Sequence, residues 1–140
     1  MKSILIAEDD KNFGIVLKSE LGDDEHIVNL VQDGVEAVLS VLNDAYDFVL
    51  LDIRMPRLNG IDALRIIKKI NPCIPAITFS GDAGCREREE SVKAGSIKCL
   101  SKPFEMGQLK KEIQDCIAGL KAKGTVDLGF RESDAPAGKE

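Results

Sequence analysis

Several residue types are scarce in this chain, and each scarcity removes a class of function. There is no tryptophan, one tyrosine and one histidine in 140 residues. The four cysteines, Cys73, Cys85, Cys99 and Cys116, are scattered without a Cys-x-x-Cys pair, and His26 lies far from all of them in the sequence. That pattern fits neither a zinc site nor a disulfide framework, so reduced and mostly packed thiols are expected. No apolar run approaches the roughly 20 residues that a membrane span needs. The Met1-Lys2-Ser3 start lacks the charged, apolar and small-residue zones of a signal peptide. The expectation is a cytoplasmic protein with no membrane association. Basic residues are in deficit, 19 Lys and Arg against 24 Asp and Glu, for a net charge of −5. A nucleic-acid surface needs clustered Lys and Arg, so no direct nucleic-acid binding is expected. Lys110-Lys111, Lys121 and Lys123 are explained more cheaply as a solvated helix face.

What is present suits one globular domain: 44% hydrophobic and 31% charged residues. Ser3 to Ala7 is a short, β-branched apolar run, predicted as a buried strand. Phe13, Val16, Leu17 and Leu21 then repeat at helical spacing until Gly22. His26 to Val31 is a second strand, and Asp33 caps a helix with Val35, Val38, Leu39 and Leu42 as its apolar face. Asp47 to Leu51 is the third strand, and Asn59-Gly60 opens a helix carrying Ile61, Leu64, Ile67 and Ile70 on one side. Pro75 to Ser80 is the fourth strand. Ala83 to Ala94 is the least apolar helix, offering only Cys85, Val92 and Ala94 to a core, and is expected to be the most weakly held. Ile97 to Ser101 is the fifth strand. The last helix keeps Leu109, Ile113, Cys116, Ile117 and Leu120 in step. From Ala122 onward the pattern dissolves into Gly, Pro and charges, so residues 1–121 read as the domain and 122–140 as a polar tail or linker.

Five strands alternating with five helices imply a parallel sheet covered on both faces. Ligands of such sheets bind beyond the carboxyl ends of the strands. The groups found at those ends are specific. Glu8-Asp9-Asp10 follows the first strand, Asp52 ends the third, Ser80 ends the fourth and Lys102 follows the fifth. Clustered carboxylates repel one another unless a cation holds them, and hard oxygen ligands suit Mg²⁺. Lys102 supplies a point charge and Ser80 a rotatable donor for an anionic oxygen. In that company Asp52 reads as a nucleophile that accepts a phosphoryl group and becomes an acyl phosphate.

From about Lys2 to Leu120 the chain resembles a receiver domain of the response-regulator family of two-component signalling. The resemblance rests on Ile4 to Asp10, on Leu51-Asp52-Ile53-Arg54-Met55-Pro56 with Asn59-Gly60, on Phe79-Ser80 and on Lys102-Pro103-Phe104. It implies a flavodoxin-like, doubly wound (βα)5 fold with strand order 2-1-3-4-5. It also implies that Glu8 and Asp9 are the metal-binding acid pair, Asp52 the phosphorylated residue, Ser80 the switch hydroxyl and Lys102 the lysine of the site. Mg²⁺ would be held by Glu8, Asp9, Asp52 and the backbone carbonyl of Arg54, and the Lys102-Pro103 bond would be cis. The implied partners are a sensor histidine kinase or phosphotransfer protein and a downstream output partner of unknown kind. Affinity would switch on the face of the fourth helix, fifth strand and fifth helix, where a homodimer is a further analogy. Such a chain is a phosphoacceptor with self-catalysed transfer and autodephosphorylation rather than a conventional enzyme.

Two departures from the family pattern stand out. Cys99 stands where an aromatic ring usually swings with the switch hydroxyl. Arg54 and Asp82 occupy two positions that tune hydrolysis, and their opposite charges suggest a pair across the site mouth. Blander readings compete elsewhere: Asp10 as a helix cap rather than a ligand, and Cys99 as a packed thiol rather than a sensor. Two other functions also compete. An aspartate-nucleophile phosphatase would want an acid where Arg54 stands, and a phosphorylation-independent interaction module would be expected to lack part of the acid, hydroxyl and lysine set.

Overall fold

The computed structural model describes residues 1–81 and 84–126, with residues 85 and 120–126 described by their backbone alone. The elements alternate without exception: β1 (Lys2–Ala7), α1 (Lys11–Leu21), β2 (His26–Val31), α2 (Gly34–Asn43), β3 (Phe48–Asp52), α3 (Gly60–Ile70), β4 (Ala76–Ser80), α4 (Cys85–Ala94), β5 (Cys99–Ser101) and α5 (Met106–Val126). The strands pair in parallel in the order β2-β1-β3-β4-β5. This is the expected flavodoxin-like order, and it reverses between β1 and β3, beside the tip that carries Asp52.

Alternate strand residues face opposite sides of the sheet, and each side has its own core. Leu5, Ala7, Val49, Leu51 and Ala76 pack under α2, α3 and the end of α4. Ile4, Ile6, Leu50, Ile77 and Phe79 pack under α1 and α5 through Leu17, Leu21, Leu109, Ile113 and Ile117. Burial on both faces is why β3 and β4 are inaccessible along their whole length.

The helices start where short polar side chains satisfy their first N–H groups. Asp10 accepts from the N–H groups of Asn12 and Phe13, Asp33 from Glu36 and Asn59 from Asp62. Asp10 is therefore the cap of α1. The structure corrects several expected faces. The buried residues of α2 are Gly34, Ala37 and Val41; Val38 packs partly buried against the core as expected, while Leu39 and Leu42 are 49% and 59% exposed. That helix is apolar almost all the way round, and its smaller residues let it approach the sheet more closely. A side chain at Gly34 would place its Cβ 2.0 Å from the Leu58 carbonyl oxygen. Val16, Ile70 and Val92 also sit outside the core.

α4 is held differently from the other helices. With Val92 exposed, its inward side presents Ser91, which is fully buried. Thr78 on β4 donates its hydroxyl to Ser91 Oγ at 2.9 Å, and the Thr78 N–H reaches Ser96 Oγ at 3.0 Å. Ser96 in turn donates to the Lys98 carbonyl at 2.6 Å. A buried hydroxyl chain thus joins α4 to the sheet beside the apolar packing of Ala94. β5 is shorter than expected, with Ile97 half exposed before it. The backbone of α5 continues to Val126, beyond residue 121, through Lys121-Ala122-Lys123, all good helix formers. Among the described residues no helix is long and apolar enough to cross a membrane.

Candidate functional site

β3 delivers Asp52 at its tip, where the residue is only 4% exposed. Its carboxylate is fixed at one oxygen, since Arg54 N–H donates to Asp52 Oδ1 at 3.1 Å. The start of α3 passes directly against this tip: Gly60 N–H donates to the Ile53 carbonyl at 2.8 Å, and a Cβ at Gly60 would lie 2.1 Å from the Asp52 carbonyl oxygen. Only glycine fits that crossing. From β1, Glu8 reaches the same edge and is 1% exposed. Asp10 N–H donates to its Oε2 at 2.9 Å.

The lysine arrives from the other side of the sheet. Lys102 N–H donates to the Ser80 carbonyl at 2.9 Å, which extends β5 pairing to the edge. Its Nζ lies 3.0 Å from Glu8 Oε1 and 3.5 Å from Asp52 Oδ2. The bond from Lys102 to Pro103 is cis. Ser80 is fully buried at the end of β4, one residue beyond the Asp52–Phe79 register pair. The structure therefore brings Glu8, Asp9, Asp52 and Lys102 together, with Ser80 on the adjacent tip. Ligand oxygens of Glu8, Asp9 and Asp52 all lie within 4.8 Å of one another.

The electrostatics follow from burying this cluster. Glu8 is pushed up to about 7, mainly by desolvation, with the neighbouring Asp52 carboxylate adding to the rise. The Asp10 N–H and Lys102 oppose that rise without cancelling it. For Lys102, burial pulls the ammonium down, but the Glu8 and Asp52 carboxylates outweigh it and the net shift is upward. One ammonium therefore faces carboxylates whose mutual repulsion it only partly relieves. A set of three carboxylates, with Asp9 exposed to solvent, is the hard-oxygen donor chemistry that fits Mg²⁺ with some waters retained.

Sequence reasoning missed two features of the surroundings. The first is an aromatic bed. Phe13, Phe79 and Phe104 meet edge to face with centroids 5.7 to 6.1 Å apart. Lys102 Nζ lies 4.7 Å from the centre of the Phe13 ring and 5.1 Å from that of Phe79. The rings exclude water from the lysine stem and favour its charge. Phe104 lies in the Lys102-Pro103-Phe104 motif and Phe13 on the first predicted helix, but their meeting required the sheet to bring α1 and the β5–α5 loop together.

The second is the set of polar ties on α4. Arg54 Nη2 pairs with Glu87 Oε1 at 2.8 Å. The expected partner, Asp82, lies outside the described residues. Arg88 Nη1 donates to the Cys99 carbonyl at 2.9 Å, and its Nη2 to Ser101 Oγ. Cys99 itself is buried in the core with its thiol free. Between α3 and α4, next to the tip of β3, lies a cleft of about 600 Å³ whose walls include Arg54, Met55, Asp62, Arg65, Glu87 and Glu90.

Comparison with known proteins agrees with this fold. Residues 4–114 match the model of the response regulator receiver domain family. The transcriptional regulatory protein ZraR of Salmonella typhimurium is 30% identical over 121 residues, which cover 86% of this chain and 27% of ZraR. The chain thus spans about a quarter of that relative's length. Among solved structures, the receiver domain of sensor histidine kinase PA1611 from Pseudomonas aeruginosa, with a magnesium ion in its active site cleft, is 33% identical. It superposes with a TM-score of 0.76 over 84% of this chain and 98% of its own. A CheY-like receiver domain from Methanospirillum hungatei, at 24% identity, shares the fold with a TM-score of 0.85 over 89% and 99% of the two chains. The chain belongs to the response regulator receiver domain family.

Proposed function

We propose that this receiver domain accepts a phosphoryl group on Asp52 from a phosphohistidine of a sensor histidine kinase or phosphotransfer protein. The observation that carries the reading is the Lys102 ammonium shared between Asp52 and Glu8 beside the three clustered carboxylates. Asp52 Oδ attacks phosphorus in line with the P–N bond. The P–N electrons return to the donor imidazole, and an acyl phosphate remains on Asp52. Lys102 offsets the charge spread over the phosphoryl oxygens, and Ser80 offers its hydroxyl to one of them. Glu8, Asp9, Asp52 and the Arg54 carbonyl would hold Mg²⁺, which when bound neutralises charge between donor and acceptor. Water later cleaves the acyl phosphate, returning the carboxylate. The phosphorylated state then alters partner affinity on the face formed by α4, β5 and α5, to which α4 is tied by Arg88. That face is also where a homodimer would form.

The test is intact mass after incubation with a small acyl phosphate donor and Mg²⁺. Wild type gains one phosphoryl group, and Asp52→Asn gains none. A Mg²⁺-dependent adduct that persists in Asp52→Asn would sink the assignment.

A further inference from the structure

We propose that Arg57, through its ion pair with Asp33, is a positioning residue for divalent-cation binding at the acid cluster. It holds the β3–α3 loop in the strained turn from which Arg54 would offer its carbonyl to Mg²⁺. The inference rests on Mg²⁺ binding by Glu8, Asp9, Asp52 and the Arg54 carbonyl, as proposed above.

The ends of the loop are anchored by backbone. Ile53 N–H donates to the Phe79 carbonyl at 2.9 Å, and Gly60 N–H to the Ile53 carbonyl at 2.8 Å. Between these anchors Leu58 N–H donates to the Pro56 carbonyl at 2.7 Å, an i to i+2 bond that closes a γ-turn around Arg57. Among the described residues Arg57 alone, glycine aside, has a positive φ, at +69°. A residue with a Cβ is disfavoured there, so without further ties the loop would leave this turn for a relaxed one.

The ties come from the start of α2. Arg57 Nη1 donates to Asp33 Oδ2 at 3.0 Å. Asp33 is 6% exposed, and its other oxygen accepts from Glu36 N–H at 2.8 Å, so the carboxylate cannot follow a retreating arginine. One residue on, the Leu58 carbonyl oxygen lies where only a glycine at position 34 leaves room for it. α2 thus fixes the apex of the loop, three residues after Arg54, while the bond from Arg54 N–H to Asp52 fixes its start.

A cation that binds only the held turn loses affinity in proportion to the chains that leave it. Groups bonded directly to a metal ligand are typically worth about 10- to 100-fold in affinity. Arg57 acts at one remove and is 58% exposed, so its share should be about three- to tenfold. Charge alone predicts the opposite sign, because removing a cation near clustered carboxylates strengthens their hold on another.

The test is a Mg²⁺ titration of the whole chain followed by amide NMR shifts, in about 0.15 M salt to screen distant charges. Arg57→Ala and Asp33→Asn are each expected to weaken binding about three- to tenfold. Asparagine still caps α2 but turns an amide N–H toward the arginine. The double variant should bind no more weakly than the weaker single one, because both remove the same tie. Arg57→Gly should lose less than Arg57→Ala, since glycine takes the positive φ without strain. Arg65→Ala removes an equal charge from the exposed pair with Asp62 and should keep the wild-type affinity. With a small acyl phosphate donor, Arg57→Ala should need more Mg²⁺ for half-maximal phosphorylation and reach the wild-type rate at saturation. Losses that multiply in the double variant, a larger loss in Arg57→Gly than in Arg57→Ala, or an equal loss in Arg65→Ala would each overturn the proposal. Absence of Mg²⁺ binding by wild type would overturn both this inference and the metal site beneath it. Wild-type binding with unchanged or tighter binding by Arg57→Ala would overturn this one alone.

Discussion

Replacing Gly60 with alanine tests how tightly the Asp52 tip is built. The added methyl would lie 2.1 Å from the Asp52 carbonyl oxygen, 2.9 Å from its carbon and 3.0 Å from Ile53 Cα. All three neighbours are backbone, so no side chain can swing aside. Comfortable separation of a carbon from a carbonyl oxygen begins at roughly 3.3 Å, so the tip or the helix must retreat by about an ångström. β3 cannot yield easily, because it is buried between β1 and β4. The start of α3 is held by the Gly60 N–H to Ile53 bond and by the Asn59 cap. Overpacking of this kind costs about 1–3 kcal/mol, and the better helix propensity of alanine returns at most about 1 kcal/mol. Because the clash is with backbone, we expect a net loss of about 2 kcal/mol, or roughly 4–10 °C in thermal midpoint. Phosphorylation by a small donor should slow as well, since Asp52 moves relative to Lys102. Gly107→Ala is the control, as a Cβ there meets nothing within 4 Å. It should be neutral or stabilising by up to about 1 kcal/mol. Equal midpoints and equal phosphorylation rates for Gly60→Ala and wild type would refute the close-approach argument.

Two further perturbations follow from buried polar groups. Glu8 titrates at about 7 in the folded protein against an ordinary 4.5, so the folded state binds the extra proton between those values. The contribution of Glu8 to the stability of the metal-free protein should be fullest below about pH 4.5 and be lost as pH rises through about 7. Glu8→Gln should flatten that slope, and Mg²⁺ should stabilise most at the high-pH end. Urea titrations across the range measure this, and a wild-type slope in Glu8→Gln would contradict it. Thr78→Val keeps the shape of the side chain but removes the hydroxyl between Ser91 and Ser96. It should cost about 1–3 kcal/mol. Hydrogen exchange should quicken in α4 more than in α3, and equal quickening in both would contradict the hydroxyl-chain account.

The candidate site was legible in the sequence because it sits on strand ends. Parallel connectivity forces every carboxyl tip to one edge, so Glu8, Asp9, Asp52, Ser80 and Lys102 could be grouped from their places after apolar runs. Helix starts were legible too, because Asp10, Asp33 and Asn59 act within a few residues of themselves. The buried side of α2 was not. Val35, Val38, Leu39 and Leu42 keep helical spacing as well as Gly34, Ala37 and Val41 do, and hydrophobicity alone favoured the larger set. Close packing chose the smaller one and kept only Val38 of the larger set against the core.

The sequence by itself determined the order of elements, the edge on which the candidate site lies and the residues that meet there, since these depend on local spacing and parallel crossover. Only the tertiary structure decided what surrounds that chemistry. The three rings beneath Lys102, the Ser91–Thr78–Ser96 chain and the Arg54–Glu87 pair join residues far apart in the sequence. No local pattern records such meetings, because they depend on how helices settle on the sheet once both of its cores are filled.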